Sequence, residues 1–121
     1  MAREEYILVV DDDEDLREVV AEILRESGQR IVTAANGKEA LELLQRNPAA
    51  RVILLDLMMP VMNGSEFRAQ QVRDPRLASI PVVVLSADDQ CGRKARRLGA
   101  RGFLRKPMTI DKLLDTVASA A

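Results

Sequence analysis

Histidine is absent from this chain of 121 residues, and cysteine occurs once, as Cys91. The first absence removes the side chain that most often serves as general base or metal ligand near neutral pH. Together the two nearly exclude zinc sites and Ser-His or Cys-His nucleophilic pairs. A single thiol also rules out an internal disulfide, and Cys91 reads as a small packing residue compatible with a reducing compartment. Tryptophan is missing, and Tyr6, Phe67 and Phe103 are the only aromatic side chains. Stacking platforms for bases are therefore scarce, and no second recognition module accompanies them. A net charge of −1 provides no overall field toward nucleic acid or an anionic membrane. No apolar run approaches the roughly 18 residues needed to span a bilayer. The opening MAREEYILVV places acids before a very short apolar stretch, unlike a signal peptide. The expectation is a cytoplasmic, soluble domain with neither membrane nor direct nucleic-acid partners. Its chemistry is confined to carboxylates, hydroxyls, amines and a hard metal ion.

The remaining composition is that of an ordinary globular protein, 47% apolar and 31% charged. The length suits one domain with its own core, and no repeat, linker or low-complexity segment divides residues 1–121. Three short runs, Tyr6–Val10, Val52–Leu55 and Ile80–Leu85, are rich in Val, Ile and Leu without polar alternation. Such runs suit strands buried on both faces of a parallel sheet. Arg30–Ala34 and Gly102–Leu104 are weaker candidates, suited to positions nearer an edge.

Helical stripes lie between them. Leu16, Val19, Val20, Ile23 and Leu24 precede a stop at Gly28, and Ala40, Leu41 and Leu44 precede Asn47-Pro48. Phe67 and Val72 anchor a weaker pattern over Ser65–Val72, and Cys91, Ala95 and Leu98 precede Gly99. Ile110, Leu113, Leu114 and Val117 follow a plausible N-cap, Thr109. Five strands alternating with five helices predict an α/β, doubly wound, five-stranded parallel sheet with helices on both faces.

In such a sheet, ligands bind beyond the carboxyl ends of the strands. The predicted first strand ends in Asp11, Asp12 and Asp13, the third in Asp56, the fourth in Ser86 and the fifth in Arg105, Lys106 and Pro107. Carboxylates from two strands, with no softer ligand nearby, suit Mg²⁺, which binds through a few carboxylates plus phosphate oxygens. Lys106 and the Ser86 hydroxyl can neutralise and hydrogen-bond further phosphoryl oxygens, and a carboxylate attacking phosphorus gives an acyl phosphate.

Four segments carry a family resemblance: VVDDD (Val9–Asp13), LLDLMMPVMNG (Leu54–Gly64), VVLSA (Val83–Ala87) and GFLRKP (Gly102–Pro107). In this order and spacing they resemble the receiver domain of two-component response regulators, over essentially the whole chain. The resemblance implies a flavodoxin-like sheet of strand order 2-1-3-4-5, the order of the family's chemotaxis member. It implies Asp56 as phosphoryl acceptor, with Mg²⁺ held by Asp12, by Asp11 directly or through water, by Asp56, and by the Met58 carbonyl. It makes Lys106 the phosphate-contacting lysine, Ser86 the hydroxyl switch and Phe103 the aromatic switch, and it makes the Lys106–Pro107 bond cis. The donor would be a sensor histidine kinase or a phosphotransfer protein. The receiver is a signalling switch that catalyses only its own phosphorylation and dephosphorylation. Its output would pass through the surface of the fourth helix, fifth strand and fifth helix, to a downstream protein partner or to an output domain absent from this sequence. A stand-alone regulator is favoured modestly over an excised domain.

Each residue also has a plainer reading. Asp13, Glu14 and Asp15 suit an acidic helix start, Ser86 a helix N-cap, Asp56 a strand-end turn, and Lys106 a solvated surface position. Asp11, Asp13, Asp15 and Glu22 imitate an EF-hand, but Leu16 fills the position that needs Gly and a strand precedes the run. A phosphate-independent interaction module would be favoured by loss of an acid, the hydroxyl or the lysine, and none is lost. An aspartyl phosphatase would need a second Asp two residues after the nucleophile, where Met58 stands. Arg93, Lys94, Arg96, Arg97, Arg101 and Arg105 form a basic cluster with no intervening acid, either a solvated helix face or a dock for an acidic partner surface.

Overall fold

The computed structural model describes residues 5–121, so residues 1–4, which open the segment compared above with a signal peptide, lie outside it. Five strands and five helices alternate: β1 (Tyr6–Val10), α1 (Glu14–Glu26), β2 (Ile31–Ala34), α2 (Gly37–Arg46), β3 (Ala50–Asp56), α3 (Gly64–Arg73), β4 (Val82–Ser86), α4 (Cys91–Arg97), β5 (Gly102–Arg105) and α5 (Ile110–Ala120). The sheet is parallel throughout, in the order β2-β1-β3-β4-β5. The two weaker strand candidates lie at the edges, as their composition predicts. No helix among the described residues is long and apolar enough to cross a membrane.

The continuous apolar runs become the three central strands because both their faces are covered. Ile7, Val9, Leu54, Val83 and Leu85 join a core with Val20 and Leu24 of α1 and with Leu113 and Val117 of α5. The intervening Leu8, Val10, Ile53, Leu55 and Val82 join the opposite core with Ala40 and Leu44 of α2 and with Phe67 of α3. Alternation by two along each strand thus feeds separate cores on the two faces, and Val84 of β4 joins Cys91 and Ala95 of α4 in a third, smaller one. Each fully buried Val, Leu or Ile contributes about 1.5–3 kcal/mol of transfer free energy.

Helix ends follow their sequence signals. Asp13, Asn36 and Thr109 cap α1, α2 and α5 through their side chains, and Asn63 with Glu66 forms a capping box on α3. Gly28 and Gly99 take positive φ just after α1 and α4.

Several expectations are corrected. β4 begins at Val82 instead of Ile80, because Pro81 has no N–H to give a ladder. In α3, Val72 is exposed and Gln71 is the buried residue, its side-chain Nε2 donating to the carbonyls of Leu77 (2.9 Å) and Ile80 (3.0 Å). Val19 and Ile110, counted in apolar stripes, are also exposed. They border a small apolar depression between α1 and the start of α5.

Candidate functional site

Register brings the predicted residues to one edge of the sheet. Val10 of β1 pairs with Leu55 of β3, and Asp56 pairs with Leu85 of β4, so Asp11, Asp56 and Ser86 leave adjacent strands side by side. Ser86 in turn pairs with Arg105 of β5, and Lys106 follows. Asp11 is 1% exposed, Asp56 5% and Ser86 4%, whereas Asp12 is exposed.

The local chain directions have identifiable causes. Asp11 Oδ1 accepts the Asp13 N–H at 2.9 Å, and its carbonyl accepts from Arg17 at 2.9 Å, which ties the end of β1 to α1. Asp56 Oδ1 accepts the Met58 N–H at 3.2 Å, so the expected strand-end turn is also present. Gly64, at the start of α3, approaches so closely that an added Cβ would stand 2.6 Å from the Asp56 carbonyl oxygen. Only glycine lets α3 start there and hold the β3–α3 loop over the end of the sheet. The Lys106–Pro107 peptide bond is cis, as the resemblance implied.

One ammonium serves the buried acids. Lys106 Nζ lies 2.8 Å from Asp11 Oδ2 and 3.6 Å from Asp56 Oδ2. Burial acts to lower its pKa, but hydrogen bonding to Asp11 and the charges of Asp56 and Asp11 outweigh that and raise it. Asp56 moves the other way from an ordinary carboxylate. Burial first, and the neighbouring Asp11 charge second, push it up to about 7 against the opposing pull of Lys106 and the Met58 amide.

Asp11, Asp12 and Asp56 each offer a carboxylate oxygen, all within 4.8 Å of one another. Asp11 Oδ2 is buried, and Lys106 Nζ at 2.8 Å is its ion-pair partner. Hard oxygen donors and an excess of negative charge over a single ammonium fit a hard divalent cation such as Mg²⁺.

Ser86 ends β4 and does not cap a helix. Its Oγ accepts the Asp88 N–H at 3.1 Å, while α4 begins only at Cys91. The Met58 side chain is exposed, and Phe103 is 49% exposed. Sequence reasoning did not anticipate Arg17 at the Asp11 carbonyl. It also missed two ion pairs beside the site, Asp88 with Lys94 and Asp89 with Arg105. The basic cluster therefore has acidic partners after all, brought in by the β4–α4 loop.

Comparison with known proteins bears on the family and the fold. The profile of the response regulator receiver domain matches residues 7–118. A response regulator receiver protein of Anaeromyxobacter sp. (strain Fw109-5) is 40% identical over 109 residues, covering 89% of this chain but only 45% of that protein. Protein PilH of Pseudomonas aeruginosa is 33% identical over 113 residues, 92% of this chain and 93% of its own length. The crystallised chemotaxis protein CheY4 of Vibrio cholerae superposes with a TM-score of 0.88 at 31% identity, covering 99% of this chain and 100% of that one.

Proposed function

Because the chain belongs to the response regulator receiver family of two-component signalling systems, we propose that it accepts a phosphoryl group on Asp56 and relays the modification as a change of surface. The observation that carries this reading is a buried Asp56 carboxylate 3.6 Å from Lys106 and beside the acids that follow β1, at one sheet edge. Residues 1–121 are read as a single receiver domain.

The donor is a phosphohistidine on a sensor kinase or phosphotransfer protein, since this chain has no histidine of its own. An Asp56 carboxylate oxygen attacks phosphorus in line, the bond from phosphorus to the donor nitrogen breaks, and an acyl phosphate results. Lys106 pairs with one phosphoryl oxygen, and the Ser86 hydroxyl donates to another. Mg²⁺, held by Asp11, Asp12, Asp56 and the Met58 carbonyl, would neutralise charge on the transferred group. Attack of water on the same phosphorus breaks its bond to Asp56, releases inorganic phosphate and restores the carboxylate, and in this reading the side chains of Met58 and Asp88 set water access. The activity is confined to the chain's own modification, so the protein acts as a switch and not as an enzyme on outside substrates.

Turning toward a phosphoryl group, Ser86 Oγ exchanges its contact with the Asp88 N–H for a new partner. That movement begins in the β4–α4 loop and biases the surface of α4, β5 and α5, where Phe103 is the aromatic element. Output passes to a downstream protein or to an attached output domain. Labelling with radioactive acetyl phosphate and Mg²⁺ tests the acceptor chemistry. The label should be stripped by hydroxylamine, which cleaves an acyl phosphate and spares a phosphoserine. Hydroxylamine-resistant label would overturn the assignment to Asp56.

A further inference from the structure

A depression of about 430 Å³ lies at the amino ends of the strands, away from the acceptor site. Arg51, Arg76 and Ser79 supply its polar lining, and Pro48, Ile80 and Pro81 supply apolar walls. Arg51 is the second residue of β3 and Asp56 the last, which separates the two sites by about 16 Å of strand. They share no residue.

An arginine is unusual near the start of the central strand of a parallel sheet. Tyr6 of β1 pairs with Ala50 and Ile7 with Val52, so Arg51 is the extra residue of a β-bulge. A bulge interrupts the pleat and re-aims the side chain it carries, and it is rare between parallel strands. Arg51 makes no ion pair among the described residues, and its Nε is buried with no hydrogen-bond partner. A buried donor on a permanent cation is costly to leave unmatched, so the position favours an acceptor from outside the chain. Arg76 is prepared differently. Asp74 engages its Nε and Nη2, and Gln45 also accepts from Nη2, which fixes the guanidinium and leaves Nη1 out of these bonds. Glu5, which is exposed, is the one acid lining the depression. With Asp74 on Arg76 and Glu5 in the lining, net charge is small, and recognition rests on directed donors.

We infer that this depression binds a small phosphate monoester, its phosphate on Arg51, Arg76 and Ser79 and its organic group against Pro48, Ile80 and Pro81. Three donor groups match the three terminal oxygens of a monoester, whereas a carboxylate offers two. Guanidinium N–H groups suit such oxygens because the charge-assisted bonds are strong and directional. Inorganic phosphate would satisfy the donors but leave the apolar walls uncovered. The site goes beyond the acceptor chemistry at Asp56, and no bond is made or broken in it.

The test uses phenyl phosphate as probe, with inorganic phosphate and benzoate compared at matched ionic strength and without Mg²⁺. Amide NMR shifts should saturate and centre on residues 49–51, 76 and 79–80. The Arg51 Nε–H signal should move downfield as it gains an acceptor. Phenyl phosphate should bind about threefold or more tightly than either comparison compound. Arg51→Gln should weaken it about tenfold or more. Should that variant fail to fold, Arg76→Gln, at an exposed position, carries the same expectation. No saturable shift, or shifts confined to residues around Asp56 and Lys106, would overturn the proposal. So would phenyl phosphate binding no more tightly than either comparison compound, or undiminished binding by folded Arg51→Gln or by Arg76→Gln.

Discussion

Val61 sits at φ 69° and is 74% exposed. A β-branched residue is strained in this left-handed region, and here no burial compensates the strain. Val61→Asn should raise stability by about 1 kcal/mol, read as a higher urea midpoint at unchanged slope; an unchanged or lower midpoint would contradict the strain. Asp56 carries an electrostatic burden instead. Its folded pKa, pushed up to about 7 by burial and then by Asp11, exceeds the value of about 3.9 in an unfolded chain. The native state therefore binds this proton more tightly than the unfolded state does. The stability it contributes is fully present below about pH 4 and is lost as pH rises through about 7. Asp56→Asn should raise the melting temperature of the metal-free protein at pH 8 and change it little at pH 4, as thermal denaturation at the two pH values would show. A matched shift at both would mean that Lys106 already balances the carboxylate.

Among the elements, α3 most clearly joins fold to site. It starts at Gly64, where an added Cβ would meet the Asp56 carbonyl oxygen at 2.6 Å and Leu57 Cα at 2.8 Å, both backbone atoms that cannot swing aside. Gly64→Ala should cost about 1–3 kcal/mol and disturb the loop that carries Met58. Urea denaturation combined with amide NMR shifts at residues 56–58 checks both effects, and unchanged stability would show that α3 can retreat freely. Helix α3 also marks where periodicity ran out. The spacing of Phe67 and Val72 located the element and Phe67 is buried, but Val72 is exposed and Gln71 takes the second inner position. Gln71 is buried because its amide satisfies two loop carbonyls, a hydrogen-bonding role that hydrophobic patterning does not register. Val19 and Ile110 show the complementary difficulty. A stripe gives the direction of the apolar face but not how much of it the neighbouring elements cover.

On the scale of the whole molecule, most of the fold was legible because a parallel sheet buried on both faces demands continuous Val, Ile and Leu runs, and β1, β3 and β4 have them. The convergence of Asp11, Asp12, Asp56, Ser86 and Lys106 was legible for a related reason, since each lies at or just past a strand's carboxyl end. Strand order was not read from pattern and came only with the family resemblance. The ion pairs of Asp88 with Lys94 and Asp89 with Arg105 could not be seen in sequence, because they depend on how the β4–α4 loop folds back over α4 and β5. The central claim is that this edge of the sheet is a Mg²⁺-dependent acceptor at Asp56. Intact mass after incubation with acetyl phosphate, with and without Mg²⁺, tests it most directly beside Asp56→Asn. A gain of about 80 Da, one phosphoryl group, that requires Mg²⁺ and vanishes in Asp56→Asn is the predicted result. A gain without Mg²⁺, one that persists in Asp56→Asn, or no gain from folded protein would contradict it.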